Sequence, residues 1–272
     1  NNIKVSYISK NPMYEAVIYS KTLRYWGTHH DTPINNISDV DWESGSKALK
    51  RLTPSKQRWA AKFASGSIGN NHMRAKRGEI VSPQCQLCNV SIEKTSHVLC
   101  CPNSEAMMFA NDNIQNKMQK AFDSISTPDY ISKAILKVLI TLRQGRPIQP
   151  SDFDQPELQS AIESQQDNIG WTNFLLGKWS LRWRHVIQSY YDSISSKRSA
   201  KRWVTAIIHK LLLVSWDSWD FRNNKINEPQ GINDTHQHNR LNAQIQEAFL
   251  ATTEGMHPSS HHLINDFPMD IR

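Results

Sequence analysis

Residues Cys85 to Pro102 read CQLCNVSIEKTSHVLCCP and contain all four cysteines of the 272-residue chain. Their spacing is C-x2-C-x8-H-x3-C when Cys101 is taken as the last cysteine. A C-x2-C hairpin turns two thiolates toward one point, and two further ligands one helical turn apart complete a tetrahedron. The sequence therefore predicts a metal site formed by four residues: Cys85, Cys88, His97 and Cys101.

The ligand types predict the ion and its role. Thiolate and imidazole favour zinc over hard cations, and four protein ligands leave no open position, so we expect a structural Zn²⁺ that contributes folding energy. Cys100 competes with Cys101 for the fourth position, and Pro102 directly after Cys101 favours Cys101. The alternative is a set of buried free cysteines beside a core histidine. Cysteines this close together cannot staple distant loops, so we expect a reducing, intracellular compartment, either nuclear or cytoplasmic.

Composition and charge restrict the class of protein. The chain has 10 Gly and 12 Pro, about 8% together against an average of about 12%, which favours helices over a turn-rich β architecture. No apolar run approaches the ~18 residues of a membrane span, so no membrane partner is expected. The formal net charge of +7 suits a polyanionic partner. The chain begins Asn1-Asn2 without an initiator methionine, so we expect a piece of a longer product.

The hydrophobic spacing predicts a mainly α-helical protein. Helices are expected over about 42–52, from Pro54 to Gly66, over 104–125 and from a Thr127-Pro128 cap to about Gln144. Further helices are expected around 158–169, 183–194, 202–223 and 239–251, with a polar stretch over 224–236. The helix at 202–223 has apolar residues on all sides and is predicted to be central to its unit.

Proline clusters suggest the domain organisation. Pro147, Pro150 and Pro156 predict a connection between a zinc-stabilised N-terminal unit and a Trp-rich helical bundle. The expected divisions are an upstream tail at 1–37, a zinc-binding domain at 38–145, a Pro-rich connection at 146–156, a helical domain at 157–252 and a flexible tail at 253–272.

Two groups of cations are candidates for binding nucleic acid. The first lies between Glu43 and Glu79, a stretch without acidic residues: Lys47, Lys50, Arg51, Lys56, Arg58, Lys62, Arg74, Lys76 and Arg77. The second precedes or begins a predicted helix: Lys197, Arg198, Lys201 and Arg202. Cations at a helix N-terminus are disfavoured by about 0.3–1 kcal/mol each, and a bound phosphate would relieve this. Phosphate contacts give salt-dependent, largely sequence-independent affinity. The alternative is a solvated basic face.

The tryptophans allow two interpretations. Six of them could stack single-stranded bases, but helical spacing beside aliphatic residues favours a place in the core: Trp171, Trp179, Trp183, Trp203, Trp216 and Trp219. No P-loop, dinucleotide-binding fingerprint or nucleophile elbow is present, so the chain is not expected to be an enzyme.

The segment Cys85 to Pro102 resembles the zinc-binding segment found downstream of reverse transcriptase in non-LTR retrotransposon polyproteins. Asp41-Trp42-Glu43 and Arg58-Trp59 ahead of the cysteines are similar to the lead-in of diatom-like, protist members. The run from Gln166 to Gly177, then Trp183 to Tyr190, then Trp216-x-x-Trp219-x-x-Arg222-Asn223 resembles their C-terminal region. The resemblance covers about Ser38 to Asn223, in the family's order, and also favours Cys101 as fourth ligand.

The resemblance implies an upstream part with reverse transcriptase and ribonuclease H, and no catalytic residue in this chain. Two-metal sites need clustered carboxylates that hold ions about 3.5–4 Å apart, and no such cluster is readable here. Leu87 lies between the first two cysteines, where the family more usually has a polar or basic residue. The histidine that the family pattern places shortly after Asn223 is also absent. The leading hypothesis is a non-catalytic accessory region that binds RNA or DNA and carries one structural zinc. The alternative is a zinc-stabilised scaffold that contacts only proteins.

Overall fold

A computed structural model describes residues 36–227 and 232–250. The predicted upstream tail at 1–37 lies outside the described residues except for its last two positions. The predicted tail at 253–272 lies entirely outside them.

The described residues are mainly helical, as predicted. Twelve α-helices follow in order: α1 (Trp42–Lys50), α2 (Pro54–Ala64), α3 (Asn71–Lys76), α4 (Thr95–Leu99), α5 (Ser104–Asn113), α6 (Gln119–Ser124), α7 (Asp129–Arg143), α8 (Pro156–Ser164), α9 (Trp171–Leu175), α10 (Leu181–Ser193), α11 (Ala200–Asn227) and α12 (Ile232–Leu250). Within these ranges, β structure is limited to two isolated antiparallel bridges, Val40 with Ser180 and Gln84 with Ile92.

Local sequence signals explain several helix ends. The Asp41 carboxylate accepts from the Ser44 backbone N–H at 3.0 Å and caps α1, while Pro54 opens α2 at its first turn. Gly66 and Gly145 follow α2 and α7 with φ of +70° and +64°, the left-handed conformation that glycine accepts without strain.

The predicted cap of α7 at Thr127-Pro128 is wrong in detail. The helix begins at Asp129, and no side chain caps its first turn. The Thr127 hydroxyl instead accepts from the indole N–H of Trp203 at 2.8 Å, a tertiary contact between distant segments that local sequence does not reveal.

Several predicted elements differ from the observed ones. The helix expected over 104–125 contains a π-helical turn, Ile114–Met118, between α5 and α6. Ile114 and Met118, at the two ends of this turn, are buried. A π turn contains one extra residue and so changes which side chains of the helix face the core. The polar stretch expected at 224–236 is helical where described, because α11 continues to Asn227 and α12 begins at Ile232.

The core is built around tryptophan. Trp179 and Trp183 are fully buried, with Phe174 stacked on Trp179 at 4.4 Å between ring centroids. Trp203 is also buried, whereas Trp171, Trp216 and Trp219 are half-buried against the same core. All six tryptophans therefore pack in or against the core, three of them buried and three half-buried. As expected of a central helix, α11 contributes a series of buried aliphatic residues: Val204, Ile207, Ile208, Leu211, Leu212 and Val214.

Among the described residues, the chain divides into two compact units, of which the first ends at Phe221 and the second begins at Arg222. One large hydrophobic cluster takes residues from both sides of 146–156, and Trp59 meets Trp216 edge to face at 5.2 Å. In the second unit, α12 exposes Leu241 and Ile245. No helix within the described ranges combines the length and the apolar character needed to cross a bilayer.

A buried lysine links two helices of the first unit. Lys178 is 4% exposed, and its ammonium donates to the Ala64 carbonyl at 3.1 Å and to Asn173 Oδ1 at 2.9 Å. Burial lowers the pKa of Lys178 from 10.5 to about 7. The unfolded chain therefore binds more protons than the folded chain between pH 7 and pH 10.5.

The difference in unfolding free energy between the native chain and Lys178→Met is expected to change with pH. It should shift in favour of the native chain by about 1 kcal/mol per pH unit as the pH rises from 7 to 10. Urea unfolding at several pH values measures this, and comparison with the variant cancels the titration of all other groups. A pH-independent difference would contradict the low pKa of Lys178.

Candidate metal centre

The first two sulfur ligands lie in a tight hairpin. The Gln84 and Ile92 bridge closes it, and the Cys85 N–H donates to the Ser91 carbonyl at 2.9 Å. The Asn89 N–H donates back to the Cys85 carbonyl at 2.8 Å, and Asn89 takes a left-handed φ of 55°. Asparagine tolerates this conformation better than most residues, so the turn closes and places Cys85 and Cys88 beside each other.

The second pair of ligands lies at the end of a short helix. His97 is on α4, and the helix stops at Cys100, whose φ of −124° departs from helical geometry. The chain therefore turns directly before Cys101, which brings its thiol next to that of Cys85. Val98 and Leu99 are buried and anchor α4 to the main core.

The four side chains form one cluster, named here the Cys3His cluster: Cys85, Cys88, His97 and Cys101. Their ligand atoms all lie within 4.8 Å of one another. The Sγ atoms of Cys85 and Cys101 are 3.8 Å apart, and Cys88 Sγ is 3.5 Å from His97 Nε2. A zinc tetrahedron with ~2.3 Å Zn–S and ~2.0–2.1 Å Zn–N bonds has S–S and S–N edges of about 3.8 and 3.6 Å. The donor set and its spacing thus fit zinc.

The two buried thiols of the cluster are electrostatically unequal. A hydrogen bond from Cys101 lowers the pKa of Cys85 to about 3, and His97 acts in the same direction. The pKa of Cys101 is raised, first by that hydrogen bond and then by burial. One thiolate is thus stabilised before any ion is bound, and a divalent cation favours deprotonation of the second.

The structure places Cys101, rather than Cys100, in the cluster. Cys85, Cys101 and Ala106 form a small buried group, with Phe221 packed against it. Cys100 packs against the main hydrophobic core, and burial raises its pKa. All four cysteines are free. The geometry thus brings together the four side chains that the spacing predicts, with Cys101 as the fourth.

Buried polar residues join the cluster to α3. The Glu93 side chain is fully buried and accepts from the Asn71 backbone N–H at 2.7 Å, at the start of α3. Asn71 in turn donates to the Gln84 carbonyl at 2.7 Å, and Asn70 Nδ2 donates to Thr95 Oγ1 at 3.3 Å. Sequence spacing does not connect these residues to the cluster, although Asn70 ahead of a short amphipathic segment is a recognisable helix cap.

Arg143 supports the other side of the cluster from α7. Its buried guanidinium donates to the Leu99 carbonyl, to Asn111 Oδ1 at 3.2 Å and to the Ala106 carbonyl at 3.5 Å. Asn103 donates to the Leu87 carbonyl at 3.0 Å and caps α5. These contacts connect the hairpin, the end of α4 and α5, and their long sequence separations explain why spacing alone did not reveal them.

Glu93→Ala is expected to lower the free energy of unfolding by about 2 kcal/mol, because it leaves the buried Asn71 N–H without its side-chain acceptor. Glu93→Gln keeps an acceptor and is expected to cost less. Urea unfolding followed by circular dichroism measures both. Zinc stoichiometry should be unchanged, since Glu93 is outside the Cys3His cluster. Equal stability of the alanine variant and the native chain would contradict this role.

The structure exposes most of the predicted cationic residues. Ten are exposed and three are half-buried, namely Lys56, Arg74 and Lys201. Four pair with carboxylates: Arg74 and Arg77 with Glu79, and Lys47 and Lys201 with Glu43. Within the described ranges, the other nine form no ion pair: Lys50, Arg51, Lys56, Arg58, Lys62, Lys76, Lys197, Arg198 and Arg202.

Glu43 brings the two cationic groups together. Its carboxylate accepts from Lys201 of the second group and, at 3.5 Å, from Lys47 of the first group. Arg184 on α10 is 3.7 Å from the same carboxylate. The hydrogen bond from Lys201 is the main cause that lowers the pKa of Glu43. Segments more than 150 residues apart therefore share one basic face, which we call the α1–α11 face.

A groove between α8 and α10 gathers titratable groups that sequence spacing did not connect. Its cavity of about 440 Å³ is lined in part by Asp39, Glu163, Asp167, Arg182 and His185. Among the described residues, only the Cys3His cluster brings three or more candidate ligands to metal-binding distance.

The fold and this centre define a mainly α-helical protein with a Cys3His cluster. No protein-family model matches the chain, and comparison with curated proteins and with solved structures gives no match.

Proposed function

We propose that the chain is a non-catalytic, nucleic-acid-binding region stabilised by one structural zinc ion. The zinc would be held by the three thiolates and the His97 imidazole, with no position left for water. When bound, the ion supplies cross-linking of the hairpin to α4 and contributes folding energy. The ion would stabilise the fold that carries the binding surface and would take no part in a reaction.

The observation that carries nucleic-acid binding is the joining of both cationic segments on the α1–α11 face. Glu43 contacts Lys47 and Lys201, so the two groups are neighbours in space. The unpaired cations Lys50, Arg58 and Lys62 on and beside α1 and α2 are exposed. Exposed cations without carboxylate partners are suited to replace the counterions of a phosphate backbone. Such contacts position nucleic acid without reading sequence.

The resemblance to retrotransposon zinc-binding segments indicates the kind of protein in which this function would be performed. We infer an accessory region of a reverse-transcriptase polyprotein, in which this chain would position template or target for an upstream polymerase and ribonuclease H part. The geometry of the Cys3His cluster agrees with the motif on which the resemblance rests. The exposed basic face agrees with a nucleic-acid partner, RNA or DNA.

Salt titration of oligonucleotide binding tests the function. The native chain should bind single-stranded DNA and RNA with an affinity that falls steeply with salt. The triple variant Lys50→Gln, Arg58→Gln, Lys62→Gln should make the slope of log K against log salt shallower by about 2. The control variant Lys120→Gln, Lys133→Gln, Arg146→Gln removes the same charge from residues that belong to neither cationic group.

A slope that changes equally in both triple variants would mean that net charge alone governs binding, and would contradict a defined face. Absence of binding by the folded, zinc-loaded native chain would contradict the function itself.

One observation favours the protein-scaffold alternative. Apolar side chains near the Cys3His cluster are exposed, including Val81, Val90 and Ile92. Exposed apolar residues of this kind are suited to a protein contact. Zinc loading without any oligonucleotide affinity would favour that alternative.

A further inference from the structure

A compact cationic cluster lies where α1 and α2 meet the middle of α11. It consists of four residues from three segments, and we call it the four-cation cluster: Arg51, Lys56, His209 and Lys210. Arg51 follows α1, Lys56 is in the first turns of α2, and the last two residues are adjacent on α11. His209 and Lys210 belong to neither of the cationic groups found by sequence analysis.

Packing of aromatic residues fixes this arrangement. Lys56 Nζ lies 5.3 Å from the centroid of the Trp216 ring, and Trp216 meets the buried Trp59 edge to face at 5.2 Å. Ala48 of α1, Leu52 of the connection and Ala60 of α2 share the core cluster with three residues of α11: Ile207, Ile208 and Leu211. Three of the four cations therefore lie on helices packed in the core, and Arg51 lies beside the buried Leu52 in the connection between α1 and α2.

The charges of Arg51, Lys56 and Lys210 disfavour a further positive charge on His209. Burial is the main cause that lowers the pKa of His209, and the charges of Arg51, Lys210 and Lys56 act in the same direction. A hydrogen bond with the Arg51 backbone raises the pKa of His209 and so acts in the opposite direction. Across the part of the chain that the structure describes, no carboxylate forms an ion pair with Arg51, Lys56 or Lys210. An anion placed between them would offset this repulsion.

We propose that the four-cation cluster is a phosphate-binding subsite, which takes a phosphodiester group of bound nucleic acid. This inference rests on the proposed function and adds His209 and Lys210 to the α1–α11 face. Arg51 offers a planar fork of donors that suits phosphate oxygens, while the two lysines contribute point charges. His209 contributes a charge only when protonated, so binding at this subsite takes up a proton.

Proton uptake gives the subsite its pH dependence. The cationic groups that act on His209 are Arg51, Lys56 and Lys210. A bound phosphate raises the pKa of His209, because the anion stabilises the imidazolium form. Affinity for phosphate should therefore increase as the pH falls from 7.5 to 6, and His209→Gln should remove that increase.

Nuclear magnetic resonance of the histidine rings tests the subsite in the zinc-loaded chain. The midpoint of the His209 titration should rise on addition of single-stranded oligonucleotide or of inorganic phosphate. The ring signal of His185, which is exposed on α10, should not respond. In parallel, Arg51→Gln, Lys210→Gln should make the oligonucleotide salt slope shallower by about 1.5, whereas Lys120→Gln, Arg146→Gln should leave it unchanged.

The outcomes separate this proposal from the proposed function. Oligonucleotide binding with an unmoved His209 midpoint and equal slopes in the two double variants would overturn the subsite and leave the function standing. A His209 response to inorganic phosphate without oligonucleotide binding would support a free-phosphate site and contradict the function. No response to either probe would overturn both.

Discussion

Cys85→Ser is expected to abolish stoichiometric zinc binding and to unfold the segment from α3 to α5. Cys85 is a buried member of the Cys3His cluster, 3.8 Å from Cys101 between sulfur atoms, and a bound ion would cross-link its hairpin to α4 in addition to the hydrogen bonds described above. Structural zinc provides an apparent binding free energy of about 10–16 kcal/mol in small zinc peptides. Whole domains are stable by only about 5–15 kcal/mol, so loss of the ion is expected to exceed the local stability.

Circular dichroism and thermal unfolding of the native chain, with and without a strong chelator, measure this effect. Chelation should reproduce the Cys85→Ser phenotype, and added zinc should reverse it in the native chain only. Cys100→Ser is the matched control, because Cys100 packs on the main core outside the cluster. Identical melting of native and chelated protein would contradict a structural metal.

Trp179→Ala is expected to lower the free energy of unfolding by about 3–5 kcal/mol, the range for truncating a buried aromatic side chain. Trp179 is fully buried and stacks on Phe174, and its indole N–H donates to the Phe174 carbonyl at 3.2 Å. Its own carbonyl accepts from the Asp41 N–H at 2.8 Å, so the residue lies where the start of α1 joins the core.

Trp183→Phe is the informative comparison for this variant. Trp183 is equally buried, but its indole nitrogen has no hydrogen-bond partner. Replacement by phenylalanine removes that polar group while it keeps an aromatic ring, so we expect a cost well below that of Trp179→Ala. Denaturant unfolding at constant zinc concentration compares the two. Equal losses of unfolding free energy in the two variants would show that the indole hydrogen bond and the ring stacking of Trp179 add nothing to stability.

Periodicity predicted the fold class well because the helices bury continuous apolar stripes. The stripe around Ile131, Ile135 and Val138 belongs to α7, and the all-round apolar pattern at 202–223 belongs to α11. The π turn at Ile114–Met118 and the Thr127 contact with Trp203 were not predictable, since both arise from packing against distant segments. The shared core on either side of 146–156 was equally invisible, because prolines indicate a turn and not a separate core.

The Cys3His cluster could be predicted because its ligands are close in sequence. The spacing of Cys85 and Cys88, followed by His97 on a helix, sets the geometry with few degrees of freedom. The supporting residues Glu93 and Arg143 could not be assigned, since their partners are backbone groups of other elements. The same reason hid His209, which meets Arg51 only after α1 packs on α11.

X-ray absorption at the zinc edge tests the central claim, a structural Cys3His zinc site, most directly. The purified chain should contain one zinc per molecule, with three sulfur neighbours at about 2.3 Å and one nitrogen neighbour at about 2.0–2.1 Å. Cys100→Ser should give the same spectrum, and Cys101→Ser should lose it. A zinc-free native chain, or a shell of oxygen ligands, would contradict the account.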